Sequence, residues 1–110
     1  MHEDLQVAGH AGSVAEAKQV LAKTSADILL LDLKLPASSG LDLLRDMPGL
    51  NPKLRTIVTA DAEVESEVVE AMRLGARGFL VKHSPTDLFL KCIRKVNEGE
   101  VWLDCRMTEA

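Results

Sequence analysis

The chain has 110 residues, 46% of them hydrophobic and 27% charged, which suits one soluble domain built on a single core. A formal net charge of −4 argues against nucleic-acid binding by this segment, which calls for a basic face. No apolar run reaches the roughly 18 residues that cross a bilayer, and "MHEDLQ" lacks the basic-then-apolar pattern of a signal peptide, so a cytoplasmic domain is expected.

Short apolar stretches alternate with helical ones along the chain. Residues 5–8 read as a weak strand, closed by Gly9 and Gly12. Ser13 opens a helix, with Glu16 completing a capping-box pattern and Val14, Ala17 and Leu21 forming one apolar side. Residues 27–33 are too continuously apolar for a strand with one wet face and suit a parallel sheet covered on both sides. A turn is expected at 36–40, then a short helix carrying Leu41, Leu44 and Met47 that Pro48-Gly49 ends. Residues 54–59 read as a strand, and residues 63–74 as a helix with Val64, Val68 and Met72 on one side and Gly75 at its end. A strand at 78–81 follows. Ser84, Pro85 and Asp87 then mark the start of a helix that runs to about Asn97 and stops at Gly99. Cys92 and Cys105, without CxxC spacing, read as reduced thiols.

Strands alternating with helices imply right-handed crossovers and an open α/β fold, a parallel sheet with helices on both faces. Such folds gather ligands at the carboxyl ends of their strands. Here those ends carry Asp32 after "LLL", Thr59 after "TIV" and Lys82 after "FLV". Taken singly, Asp32 reads as a cap or turn residue, Thr59 as a β-branched strand residue and Lys82 as a solvated strand end. Together, a carboxylate, a hydroxyl and an ammonium on one edge suit a phosphoryl group. The carboxylate can act as nucleophile, the lysine can neutralise charge, and the hydroxyl can donate to a phosphoryl oxygen. Asp32 could also give an oxygen to Mg²⁺.

The segments "ILLLDLKLPASSGLDLL", "TIVTADAE", "EAMRLGARGFLVK" and "GEVWLD" resemble the response-regulator receiver domains of two-component signalling. The likeness is to the NarL/FixJ type, which precedes a LuxR-type helix-turn-helix, and it spans residues 5–104. The resemblance implies a flavodoxin-like receiver fold, shortened to about four strands and four helices, over residues 1–104, with residues 105–110 beginning a linker. It implies that Asp32 accepts a phosphoryl group from a sensor histidine kinase or a small acyl phosphate. Thr59 and Lys82 would bind that group, and Thr59 and Phe79 would form a switch in which Phe79 turns inward. The backbone carbonyl of Lys34 would join Asp32 as a Mg²⁺ ligand, while Lys34 and Asp61 flank the site and tune its rates. It also implies a homodimer using the helix at 63–74, the strand at 78–81 and the helix at 84–97. DNA would be reached only through a helix-turn-helix that this chain lacks.

Two departures stand beside the likeness. Family receivers begin with a central strand ending in two acidic residues and then a helix, whereas this sequence starts after both, and Glu3 and Asp4 lie just before the 5–8 segment. Weakened Mg²⁺ binding and an exposed apolar edge on the 27–33 strand are therefore expected. His83 stands where many receivers have proline, and reads as a solvated loop residue. The leading expectation is a non-enzymatic phosphoacceptor domain in transcription regulation. The alternatives are a phosphorylation-independent interaction module on the same scaffold and a flavodoxin-like nucleotide or flavin binder, and the second of these lacks a phosphate-binding loop.

Overall fold

The computed structural model describes residues 5–7, 9–35, 38–50, 53–62 and 64–103. In chain order the elements are α1 (Val14–Lys23), β1 (Ile28–Asp32), β2 (Lys34–Leu35), β3 (Ser38–Ser39), α2 (Gly40–Leu50), β4 (Arg55–Ala60), α3 (Glu65–Arg73), β5 (Gly78–Val81) and α4 (Thr86–Asn97). β1, β4 and β5 form one parallel sheet in that spatial order, and β2 pairs antiparallel with β3.

Alternation along each strand divides the core in two. Leu29, Leu31 and Leu33 join Val58, Ala60 and Phe79 on one face, under Val14, Ala17 and Leu21 of α1, Leu43, Leu44 and Met47 of α2, and Val68 and Ala71 of α3. Ile28, Ile57 and Leu80 face the other way, against Leu88, Phe89, Cys92, Ile93 and Val96 of α4. Both faces of the sheet are thus covered by helices, as continuously apolar strands require. Burial among these side chains pushes the Cys92 thiol up to about 12, so it is uncharged at neutral pH.

Local signals set the helix ends. The Ser13 hydroxyl accepts from the Glu16 N–H at 3.1 Å and caps α1. Gly75 and Gly99 adopt φ of 106° and 99°, just past α3 and α4, where a left-handed residue closes the last turn. An exposed Lys18–Asp46 pair at 2.9 Å joins α1 to α2, worth at most about 1 kcal/mol.

Four sequence expectations are corrected. Residues 5–7 are not a strand, and Ala8 lies outside the described residues; a segment with no ladder partner gains nothing from strand geometry. Of the turn expected at 36–40, Ser38 and Ser39 form β3 and Gly40 is already in α2; Pro36 and Ala37 lie outside the described residues. Pro48 and Gly49 do not end α2, which runs to Leu50. Proline's fixed φ is helical, and so near a helix end it forfeits one backbone hydrogen bond without breaking a longer ladder. Ser84 does not cap α4: Pro85 occupies the cap position, and the Ser84 N–H donates to the Val81 carbonyl at 3.1 Å. Glu3, Asp4, Glu63 and Cys105 also lie outside the described residues.

The tail adds an element that its sequence hid. The Trp102 N–H donates to the Arg77 carbonyl at 2.8 Å, and the Trp102 carbonyl accepts from the Phe79 N–H at 3.0 Å. This parallel bridge to Gly78 covers the outer edge of β5. The outer edge of β1 has no ladder partner among the described residues, and Leu30 on it is 49% exposed.

Two expectations follow. A Cβ on Gly40 would lie 2.3 Å from the backbone oxygen of Asp32; a backbone contact this close cannot relax cheaply. Gly40→Ala should lower the unfolding free energy by about 2 kcal/mol or more in chemical denaturation. Leu30→Lys should change it by less than about 1 kcal/mol, because the side chain is half exposed. The charge it sets on the open edge should reduce self-association in light scattering at high concentration.

Candidate functional site

In a parallel sheet, residues in register point to the same face. Asp32 stands in register with Thr59, and Thr59 with Leu80. Lys82 is two residues past Leu80, so the three side chains share the α4 face at the carboxyl edge. The ladders continue past the strand ends and keep them in step. The Leu33 N–H donates to the Thr59 carbonyl and the Lys82 N–H to the Ala60 carbonyl, both at 2.8 Å.

The Lys82 ammonium lies 2.5 Å from Asp32 Oδ2. The other oxygen, Oδ1, accepts the backbone N–H of Lys34 at 3.0 Å. Asp32 is therefore a compensated carboxylate at a half-buried rim, its side chain 31% exposed, and not an isolated charge in the core. A second acid enters from the residue after β4: Asp61 Oδ1 lies 3.7 Å from Lys82 Nζ, and Asp61 Oδ2 lies 4.0 Å from Lys34 Nζ. The hydrogen bond to Asp32, helped by the charges of both carboxylates, holds the Lys82 ammonium above its ordinary pKa of 10.5, against a smaller opposing effect of burial.

The strand-end residues expected from the sequence are thus brought to one edge, with Asp32 and Lys82 in direct contact and Thr59 beside Asp32 in the ladder. Lys34 and Asp61 close the same cluster. Phe79 lies elsewhere: it is fully buried in the core on the opposite face, in register with Val58. His83 is exposed, next to the lysine. Sequence reasoning missed Gly40, which packs against the backbone of Asp32 and Leu33 and whose N–H donates to the Leu33 carbonyl at 2.7 Å. Its signal was its place at the end of "LPASSG", read only as a turn.

The donors offered to a divalent cation are few. Among the described residues no group of three or more His, Cys, Asp or Glu side chains could hold a metal ion. Among the described residues the carboxylates seen at this edge are Asp32 and Asp61, and each lies against lysine.

Residues 1–94 match the family model for the response regulator receiver domain. The DNA-binding transcriptional activator DevR/DosR of Mycobacterium tuberculosis is 32% identical over 107 residues, which cover 97% of this chain and 49% of that protein. The chain thus spans about half the length of the curated relatives it matches. A LuxR-family two-component response regulator from Aurantimonas superposes with a TM-score of 0.83 at 21% identity, over 90% of this chain and 71% of that one. A Burkholderia pseudomallei response regulator, solved with a phosphorylated aspartic acid, calcium ion and citrate, gives 0.71 at 24% identity, over 81% and 52%. At these identities the two structures speak for the fold alone.

The Lys82 contacts predict a titration. A pKa raised by a partner keeps the ammonium charged, and the Asp32 contact intact, below the free-lysine value; the contact is lost as pH rises through the raised value. An NMR titration following the Lys82 side-chain carbons should give a midpoint above 10.5, and Asp32→Asn should lower it.

Proposed function

The chain belongs to the response-regulator receiver family, and from that premise we propose that Asp32 is its phosphoacceptor, with Lys82 and Thr59 holding the phosphoryl group. The observation that carries this reading is the Lys82–Asp32 contact at 2.5 Å, with Thr59 in register beside Asp32. A carboxylate that is compensated yet 31% exposed is open to a donor.

In the transfer, an Asp32 oxygen attacks phosphorus while the phosphorus–nitrogen bond of a kinase phosphohistidine breaks. The bonding pair remains on the imidazole nitrogen, and the new carbon–oxygen–phosphorus linkage is an acyl phosphate. Lys82 follows the charge from the carboxylate to the phosphoryl oxygens, and the Thr59 hydroxyl donates to one of them. A sensor histidine kinase is the proposed donor, and a small acyl phosphate can serve the same chemistry. The domain turns over no separate substrate and is a signalling module, not an enzyme.

The readout follows from the ladder. Thr59 adjoins Val58, the register partner of Phe79, so a shift of β4 toward the phosphoryl group reaches Phe79 through the sheet. Phe79 is already inside, so in this reading phosphorylation changes how the buried ring packs. The output surface is proposed to be α3, β5 and α4, used for homodimer contacts. The 45% and 52% exposure of Val64 and Val69 beside and on α3 supports it. The receiver is assigned residues 1–104, with the linker beginning at 105; the Trp102 bridge supports a domain reaching this far. A role in transcription regulation, through a DNA-binding region outside this chain, and a cytoplasmic location complete the proposal. Among the described residues no helix is long and apolar enough to cross a membrane.

The expected Mg²⁺, with Asp32 and the Lys34 carbonyl as its protein ligands, fits these residues poorly. Both Asp32 oxygens already accept from protein donors, and the nearest second carboxylate shares the same lysine.

Beryllofluoride, which mimics a phosphoryl group on a carboxylate, tests the assignment. Saturable binding by ¹⁹F NMR is expected in millimolar Mg²⁺ and should be abolished by Asp32→Asn; no saturable binding by the unaltered chain would point to the phosphorylation-independent module instead, and binding that survives Asp32→Asn would remove Asp32 as the acceptor. Once phosphorylated from acetyl phosphate, Lys34→Ala and Asp61→Ala should each alter the dephosphorylation rate severalfold, and unchanged rates would remove both residues from the mechanism.

A further inference from the structure

We propose that lysine supplies the counter-charge at this centre and that the chain captures a phosphoryl-like group at Asp32 without a divalent cation. The proposal rests on the phosphoacceptor reading and deepens it.

Asp32 and Asp61 contribute two negative charges, and Lys82 and Lys34 two positive ones. They interlock through contacts at 2.5, 3.7 and 4.0 Å, so the cluster is already neutral. Lys82 touches both acids, and its ammonium holds the position between them where a cation shared by the two carboxylates would sit. A magnesium ion demands near-octahedral oxygen ligation and gives up its water reluctantly. To reach both acids it must displace an ammonium that contacts Asp32 at 2.5 Å and Asp61 at 3.7 Å. It would then add two charges to a balanced set, with no third acid among the described residues to offset them.

A phosphoryl group meets the opposite situation. On transfer, the Asp32 carboxylate gives up its single charge to the acyl phosphate linkage, and the phosphoryl oxygens carry the charge instead. Lys82, already against Asp32 Oδ2, stands beside the place those oxygens would take. The Lys34 side chain is 76% exposed and held to Asp61 only at 4.0 Å, a separation at which a surface pair is weak, so it can turn to a second phosphoryl oxygen. Its backbone N–H, bound to Asp32 Oδ1 at 3.0 Å, fixes the carboxylate plane while it does so. Lysine binds phosphate well as a point charge, and two of them replace what a divalent ion would contribute.

The test uses the whole 110-residue chain and beryllofluoride, in buffer freed of divalent ions by chelating resin before beryllium and fluoride are added, and again with millimolar Mg²⁺. The expected result is saturable binding in both buffers, with affinities that differ by less than about tenfold, abolished by Asp32→Asn in both and by Lys82→Met in the metal-free one. Circular dichroism confirms that each variant is folded. Binding only with Mg²⁺ would overturn the proposal and leave the phosphoacceptor reading standing, whereas binding in neither buffer would overturn both. As a second measurement, Mn²⁺ titrated into the chain should leave its free-ion electron spin resonance signal undiminished. Lys82→Ala, which frees two carboxylates of their shared ammonium, should diminish it. Submillimolar Mn²⁺ binding by the unaltered chain would sink the proposal.

Discussion

A carboxylate at the end of the most apolar strand has to be compensated, and the pairing of Asp32 with Lys82 meets that demand. An ionised acid left without a partner at this half-buried rim, its side chain 31% exposed, would bear a desolvation cost that the pairing offsets. The compensation comes from a strand that is not even the neighbour of β1, since β4 lies between β1 and β5. The charge pair can form only when all three strands are assembled in register, so the site reports on the whole sheet. The dependence also runs the other way. Gly40 has no room for a side chain against the Asp32 backbone, so the start of α2 fixes the carbonyl side of the same residue.

Parallel geometry makes the rest of the arrangement economical. Each crossover returns the chain to the same edge, so three successive strands deliver their last residues to one place. Alternation then decides which face each belongs to: Asp32 and Thr59 take the α4 face, while Phe79 takes the other. A site residue and a core residue can be three positions apart in "FLVK" and still serve opposite layers. Because the ladder hydrogen bonds run on through Leu33 and Lys82, a displacement of either strand end is passed into the core and not absorbed by a loose loop.

How much of this the sequence revealed depended on whether a feature was local. The strands at β1, β4 and β5 were legible from apolar runs between turn signals, and the convergence of Asp32, Thr59 and Lys82 followed from topology alone. The Ser13 cap and the Gly99 stop are local chemistry and were read directly. What escaped is set by long-range partners. The 5–8 segment has strand-like residues, but strand geometry needs a neighbour, and none is found for residues 5–7. Trp102 lies past the last element read from the sequence, and only its bridge to Gly78 makes it part of the sheet. Pro48 looked like a stop because its cost depends on where in a helix it falls. The demand at Gly40 is a backbone contact eight residues away in sequence, invisible without coordinates.

The two long edges of the sheet carry opposite treatments, and the contrast bears on the site. The β5 edge is closed by Trp102, whose ring also lies under the Lys91 ammonium at 6.0 Å. The β1 edge carries Ile28 to Leu31 with no charge until Asp32, so it has the composition of an interior strand in an edge position. Natural edges are usually guarded by charge, proline or a bulge, and here an acid stands at each end of the apolar run, Asp27 and Asp32. In the proposed function Asp32 works on two levels: its charge is held by Lys82 for phosphoryl transfer, and its position places a charge on the open edge. Exchanging it for a neutral residue would remove both, so self-association has to be measured alongside phosphoryl binding in any Asp32 variant.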